Sequence, residues 1–210
     1  MVQKESVSPA KARGRPRSYD PQAVLAQVRD TFWEHGYSAT SLDDLCEATG
    51  LNRPSLYGGF GDKRALYLAA LEHSRAEMVA SLKRGLALPG SLRESLTLVY
   101  SAASAIYRAG GEGQRGCFLI GTAVTESVAD PQVRAILDAA FGELDAAFAE
   151  RLAAELPPGA DPRPLAQMAT AVLHTLAVRA RAGAGEAVLR GIYETGVELL
   201  CGACASKAAP

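Results

Sequence analysis

Arg53, Ser55 and Tyr57 alternate through the stretch LNRPSLYGGF, residues 51–60. A guanidinium fork, a hydroxyl and a phenol are hydrogen-bonding groups suited to phosphate oxygens and base edges. The stretch that carries them is a poor helix, because it is short and contains Gly58 and Gly59. Pro54 fits a first helical turn, where a missing amide hydrogen costs little. Such a segment must be propped by other parts of the chain. Other groups invite chemical readings too. Cys201-Gly202-Ala203-Cys204 is a CxxC that two copies of the chain could join into a four-thiolate zinc site. With no strand beside it and no second CxxC, it reads more simply as a helix end. Cys117, close to Arg115, is either a thiol of lowered pKa or a small buried hydrophobe. Asp43 and Asp44 open a helix, which suits capping better than acid–base work. His35, His73 and His174 lack metal-ligand spacing, no nucleophile has a partnered base, and no glycine-rich phosphate loop follows a strand. An all-helical enzyme is therefore the weaker reading, and no metal or cofactor is expected.

The 210-residue chain is 48% hydrophobic, enough to bury a core without disulfide or metal staples. Lys plus Arg and Asp plus Glu nearly balance, at 22 and 23, yet the charge is uneven. Lys4, Lys11, Arg13, Arg15 and Arg17 face Glu5 alone in the first 17 residues, a basic arm on a mildly acidic remainder. The four cysteines form no disulfide framework, the arm has no apolar core, and no run approaches the roughly 20 apolar residues of a membrane helix. These features predict a cytoplasmic protein without a membrane partner.

The elements that must position Arg53 and its neighbours are all helical. Strand-like alternation is nearly absent, and apolar residues recur at helical spacing. Asp20-Pro21 predicts a helix start, followed by the stripe Val24, Leu25, Val28 and Phe32 up to Gly36. Ser41 and Asp44 form a capping box for a two-turn helix with Leu42, Leu45 and Cys46 on one face, ending at Thr49-Gly50. Asn52 can cap the third helix, which Gly58-Gly59 should end. Longer helices are predicted from Asp62 to about Gly85, from Leu92 to Gly110-Gly111, from about Cys117 to Val128, and from Pro131 to Leu152. Two more span about 162–182 and 186–203, beyond the Pro157-Pro158-Gly159 loop. The reading is all-α with about nine helices. It divides into a disordered arm at 1–18, a helix-turn-helix domain at 19–65 and a helical domain at 66–205, with residues 205–210 disordered. In the helix-turn-helix, Leu51, Leu56 and Phe60 would pack on Phe32, Leu42 and Leu45. Arg53, Ser55 and Tyr57 would then face a DNA major groove.

Residues 20–68 resemble the DNA-binding domain of the TetR family of bacterial transcription regulators. The resemblance rests on Val24-Leu25, Phe32, Gly36-Tyr37, Thr40-Ser41, Leu45, Gly50-Leu51, Ser55-Leu56-Tyr57, Phe60, Lys63 and Leu66. It implies phosphate contacts from Thr40, Ser41, Tyr57 and Lys63. Arg53, with Pro54 and Ser55, would open the recognition helix, and Arg53 would read guanine. The arm residues Arg13, Arg15 and Arg17 resemble arms that reach the flanking duplex. Family members often carry aromatic or histidine side chains where this chain has Gly58 and Gly59, so one phosphate contact is in doubt.

The same resemblance implies a C-terminal domain that binds a small-molecule effector and forms a homodimer through the last two helices. Small residues such as Ala169, Ala177, Ala187 and Gly196 would suit that interface. Tyr100, Tyr107, Phe118, Thr122, Phe141, Met168 and His174 are the candidate effector-pocket residues, a set fitted to a mainly apolar molecule. The implied function is a repressor that leaves a palindromic double-stranded DNA operator when the effector binds. An activator or an architectural DNA binder with the same first domain is the alternative.

Overall fold

The computed structural model describes residues 19–109 and 115–208, with the side chains of 207 and 208 excepted. The predicted arm at 1–18, with Arg13, Arg15 and Arg17, lies outside the described residues, as do Gly110 and Gly111. Among the described residues there are nine α-helices and no strand. They are α1 (Pro21–His35), α2 (Leu42–Thr49), α3 (Arg53–Phe60), α4 (Lys63–Leu86), α5 (Leu92–Arg108), α6 (Val124–Glu126), α7 (Pro131–Ala153), α8 (Arg163–Arg181) and α9 (Glu186–Ala208).

Local chemistry sets the starts. Asp20 accepts from the Gln22 amide ahead of Pro21, and Asn52 accepts from the Ser55 amide. Asp62 accepts from the Ala65 amide. Ser41 and Asp44 close a reciprocal box, 3.1 Å from the Asp44 amide to the Ser41 hydroxyl and 2.7 Å from the Ser41 amide to the Asp44 carboxylate. Those bonds hold the Asp44 carboxyl below its ordinary value. Each such cap satisfies a donor that a helix end leaves free, worth about 1 kcal/mol.

Helices α1 to α3 make a small head, clamped by Val28, Phe32, Leu45, Leu56 and Leu66, all fully buried. Burying side chains of this size stabilises by about 1.5–3 kcal/mol each, which is how an eight-residue α3 persists. Helix α4 packs against α1 on one side and α7 on another, so it joins the head to the body. The body continues through α7 on α8, α5 on α8 and α9, and α8 on α9. Tyr67 of α4 ties the layers. Its ring meets Phe32 at 5.1 Å, Tyr37 at 4.6 Å and Phe118 at 6.2 Å, and its hydroxyl lies 3.0 Å from the Thr122 hydroxyl.

The structure differs from the sequence reading at several points. Helix α3 runs through Gly58 and Gly59 and stops at Gly61, whose φ of +91° favours glycine. The helix expected from Cys117 to Val128 is a π-helical turn, Leu119–Ala123, continued by the three-residue α6. Its wide turn lets Thr122 donate back to the Phe118 carbonyl at 2.9 Å and also meet Tyr67. Helix α9 continues to Ala208, so residues 205–208, expected to be disordered, are helical. Buried Leu200 and Cys204 anchor that end. A boundary between 65 and 66 falls within continuous α4, where the chain has no loop.

Candidate nucleic-acid interface and the cavity behind it

Helix α3 presents an exposed edge. Pro54 is exposed, Tyr57 is 43% exposed, and the Arg53 side chain is 57% exposed. The Arg53 guanidinium is not loose. Its Nη2 lies 2.7 Å from both Asp43 oxygens and its Nε 3.1 Å from Oδ1, so α2 holds the fork that α3 offers. That bond and the Asp43 charge raise the Arg53 pKa further, so it stays a cation at every working pH. The spacing of Asp43 points only to the start of α2; its pairing with Arg53 spans ten residues and has no local signal.

Ser55 is half-buried at the start of α3, and Ser41 is exposed at the start of α2, where its hydroxyl oxygen accepts from the Asp44 amide and its O–H stays available to donate. Lys63 is half-buried; its Nζ sits 4.7 Å from the Tyr37 ring centroid and 3.5 Å from the Ser38 carbonyl. One expectation is corrected. Thr40 is 1% exposed and donates to the Gly36 carbonyl at 2.7 Å, so its side chain fastens the α1–α2 turn and is not offered to a phosphate. The two glycines of α3 differ as well. A Cβ at Gly58 would meet nothing within 4 Å, whereas one at Gly59 would collide with the Tyr19 hydroxyl.

Behind the head lies a cavity of about 620 Å³, walled by α1, α4, α5, the 117–119 segment, α7 and α8. That volume suits a small organic ligand. Of the seven expected pocket residues, it brings in Tyr107 and Phe118. The other five do not line it. Tyr100 is buried elsewhere and donates to the Ala169 carbonyl at 3.0 Å, and the Thr122 hydroxyl is taken by Tyr67 and the Phe118 carbonyl. Met168 is 60% exposed on the outer face of α8. Phe141 and His174 pack on each other at 4.7 Å, away from the cavity, and burial lowers the His174 pKa. Aromatic type marked core as readily as pocket at those positions. Trp33, Ser74, Leu82, Val99, Leu144 and Leu173 line the cavity instead, drawn from five helices with no shared sequence motif.

Cys117 also lines it, and its thiol is the buried hydrophobe of the two readings. Burial pushes its pKa up, against the lowered value Arg115 would have given. The Arg115 side chain turns instead to Asp30, at 3.4 Å, and to the face of Trp33. Among the described residues no cluster of three or more His, Cys, Asp or Glu could hold a metal. No described helix is long and apolar enough to cross a membrane.

Head and body are stitched at two places. The Trp33 Nε1 donates to the Arg115 carbonyl at 2.8 Å, and Arg181 of α8 donates to the carbonyls of Trp33 and Arg115 at 3.1 and 3.2 Å. Arg64 of α4 grips Asp130 through bonds of 2.7 and 2.9 Å and reaches Gln132 at 2.6 Å. The outer faces of α8 and α9 are free of charge along one stripe each: Met168, Ala171, Thr175 and Val178, and Val188, Gly191, Thr195 and Leu199. Three of the small residues expected to face a copy are used within the chain. Ala169 and Ala177 are buried, and a Cβ at Gly196 would lie 2.9 Å from Val172.

The profile described as "Bacterial regulatory proteins, tetR family" matches residues 24–70. The HTH-type transcriptional repressor ComR of Escherichia coli K12 is 31% identical over 194 residues, covering 90% of this chain and 92% of its own. An uncharacterized HTH-type transcriptional regulator of Bacillus subtilis 168, YezE, is 30% identical over 64% of this chain and 69% of its own. Among solved structures, the TetR family regulator CifR, a cysteine mutant complexed with 26 bp of double-strand operator DNA, superposes with a TM-score of 0.73. It is 30% identical and covers 88% of this chain and 98% of that one.

Proposed function

This chain belongs to the TetR family of bacterial regulatory proteins and is a DNA-binding transcriptional regulator; from that premise we propose a homodimeric repressor, released from a near-palindromic operator by a small, mainly apolar molecule. Helix α3 enters the major groove with Arg53 foremost, and Tyr57 and Lys63 reach phosphate from its flank. Ser41, at the exposed front of α2, adds a further phosphate contact. Two copies pair through the uncharged stripes of α8 and α9, which sets their recognition helices about 34 Å apart, one turn of duplex.

The observation that carries the reading is the position of Trp33. It belongs to α1 of the head, it walls the cavity, and it is bonded to Arg115 and through that carbonyl to Arg181 of α8. A molecule in the cavity therefore touches the head directly. Its preference for one head orientation shifts the population between bound and released forms. The named repressor ComR, similar over nearly its full length, supports repression over activation.

The test begins with genomic fragments retained by the purified protein, which supply the operator. Arg53→Ala should weaken binding to that operator by about 1–3 kcal/mol at fixed salt, the worth of a bidentate base contact, and relax the preference at one base pair. Operator affinity unchanged by this substitution sinks the assignment of α3 as the reading helix. Binding that cavity ligands strengthen, where release is expected, would instead favour an activator.

A further inference from the structure

The cavity wall contains one buried hydroxyl without a protein partner. Ser74 of α4 is 7% exposed, lines the cavity, and its hydroxyl makes no hydrogen bond. Among the described residues it shares that state with the Thr170 hydroxyl of α8, which does not line the cavity, and differs from four other buried hydroxyls. Thr31, Thr40, Ser95 and Thr122 each donate to the carbonyl four residues back. That bond is the usual refuge of a helical hydroxyl, and Ser74 does not take it.

The surroundings say what could satisfy it. Along α4 the lining runs Ser74, Met78, Ser81 and Gly85, one helical stripe, and continues past the end of the helix to Leu88, 53% exposed. Opposite stand Leu98, Val99, Ala103 and Ile106 of α5, which offer no polar side-chain atom, and Tyr107, whose hydroxyl is paired with the Cys117 thiol. The charged lining residues are Arg29, Glu77 and Arg84. Glu77 and Arg84 are exposed, and Arg29 is engaged with Asp30 and Glu77. An ionised group carried inward would leave them behind and lose its hydration.

We propose that the cavity selects a neutral, mostly apolar molecule bearing one hydroxyl or carbonyl oxygen, and that Ser74 is the residue that selects it. This rests on the cavity being the effector site and names the effector's chemical class. A hydroxyl both donates and accepts, so either kind of oxygen completes it. A hydrocarbon of the same shape fills the cavity and leaves Ser74 unpaired, and sites built around a polar group discriminate against such analogues.

The test is calorimetric titration of the full chain with three probes of one skeleton: para-tert-butylphenol, tert-butylbenzene and para-tert-butylbenzoate. Ser74→Ala should weaken the phenol about tenfold and leave the hydrocarbon unchanged. Its melting temperature should equal or exceed that of the unsubstituted chain, since an unpaired hydroxyl has been removed. Ala103→Phe, which puts a ring into the cavity, should block phenol and hydrocarbon alike. If Ala103→Phe blocks both but Ser74→Ala weakens them equally or neither, the role of Ser74 is overturned and the cavity reading stands. Tighter binding of the benzoate than of the phenol overturns neutrality. If neither neutral probe binds, or both survive Ala103→Phe, the cavity reading falls and this proposal with it.

Discussion

The head and the body handle polar groups in opposite ways. In the head, Ser41 is closed on Asp44, Asn52 on Ser55, Thr40 on Gly36 and Arg53 on Asp43, most of them within four residues along the chain. What remains exposed there is an edge of known chemistry. Behind it, the cavity is assembled from residues as far apart as Trp33 of the head and Leu173 of the body, is mainly apolar, and leaves Ser74 unpaired. A surface that meets a constant partner, the phosphate backbone, can be built from local motifs. On the proposed function, the effector pocket is built instead from long-range packing, and a polar group left unpaired in its wall is there for the ligand.

Three experiments probe this contrast. The largest effect is expected at Leu56, fully buried under α3. Leu56→Ala should cost about 2–5 kcal/mol in chemical denaturation, and operator binding should fall with it. A loss under about 1 kcal/mol would mean that α3 stands without its prop. The glycines of α3 come next. Gly58→Ala should gain about 0.5–1 kcal/mol, because the position is open and helical. Gly59→Ala should forfeit that gain by pushing Tyr19 off Phe60, which it meets at 6.1 Å. Equal stability of the two variants by thermal melting would remove Tyr19 from the account of the head.

The smallest effect lies at the stitch between α4 and α7. Arg64, with the Gln132 and Val133 amides, holds the Asp130 carboxyl at about 2, below its ordinary 3.8. A depressed carboxyl contributes stability above its unfolded value and loses it as pH falls through the folded one. The stability gap between the unsubstituted chain and Arg64→Ala should therefore be full above about pH 4 and close as the pH falls toward 2. A gap that does not change across that window would show that the pair adds nothing to folding.

The head was legible because its signals are short-range. The Asp20-Pro21 start, the Ser41–Asp44 box and the Asn52 cap all stand where spacing put them. The stop of α3 was misread at Gly58-Gly59 because glycine weakens a helix without ending it when Leu56 is buried against neighbours. Reading Thr40 as a phosphate contact failed because its hydroxyl has a nearer acceptor in Gly36. The cavity was largely illegible. Tyr100 and Tyr107 both point inward from α5, and only the meeting of α4, α5, α7 and α8 decides which of them borders space. Ser74 carries no motif at all; what sets it apart is an unmade bond at the cavity wall.

Trp33 is the sole tryptophan of the chain. Its indole lies against Phe118 at 6.0 Å, under the Arg29 and Arg115 cations, on the wall of the cavity and at the joint between head and body. Emission excited at the red edge of its absorption band thus comes from one address. On the proposed function, a molecule entering the cavity and a tilt of the head on its operator would both change the field around that ring. The protein carries its own optical gauge, and the two events can be timed against each other in solution without any label.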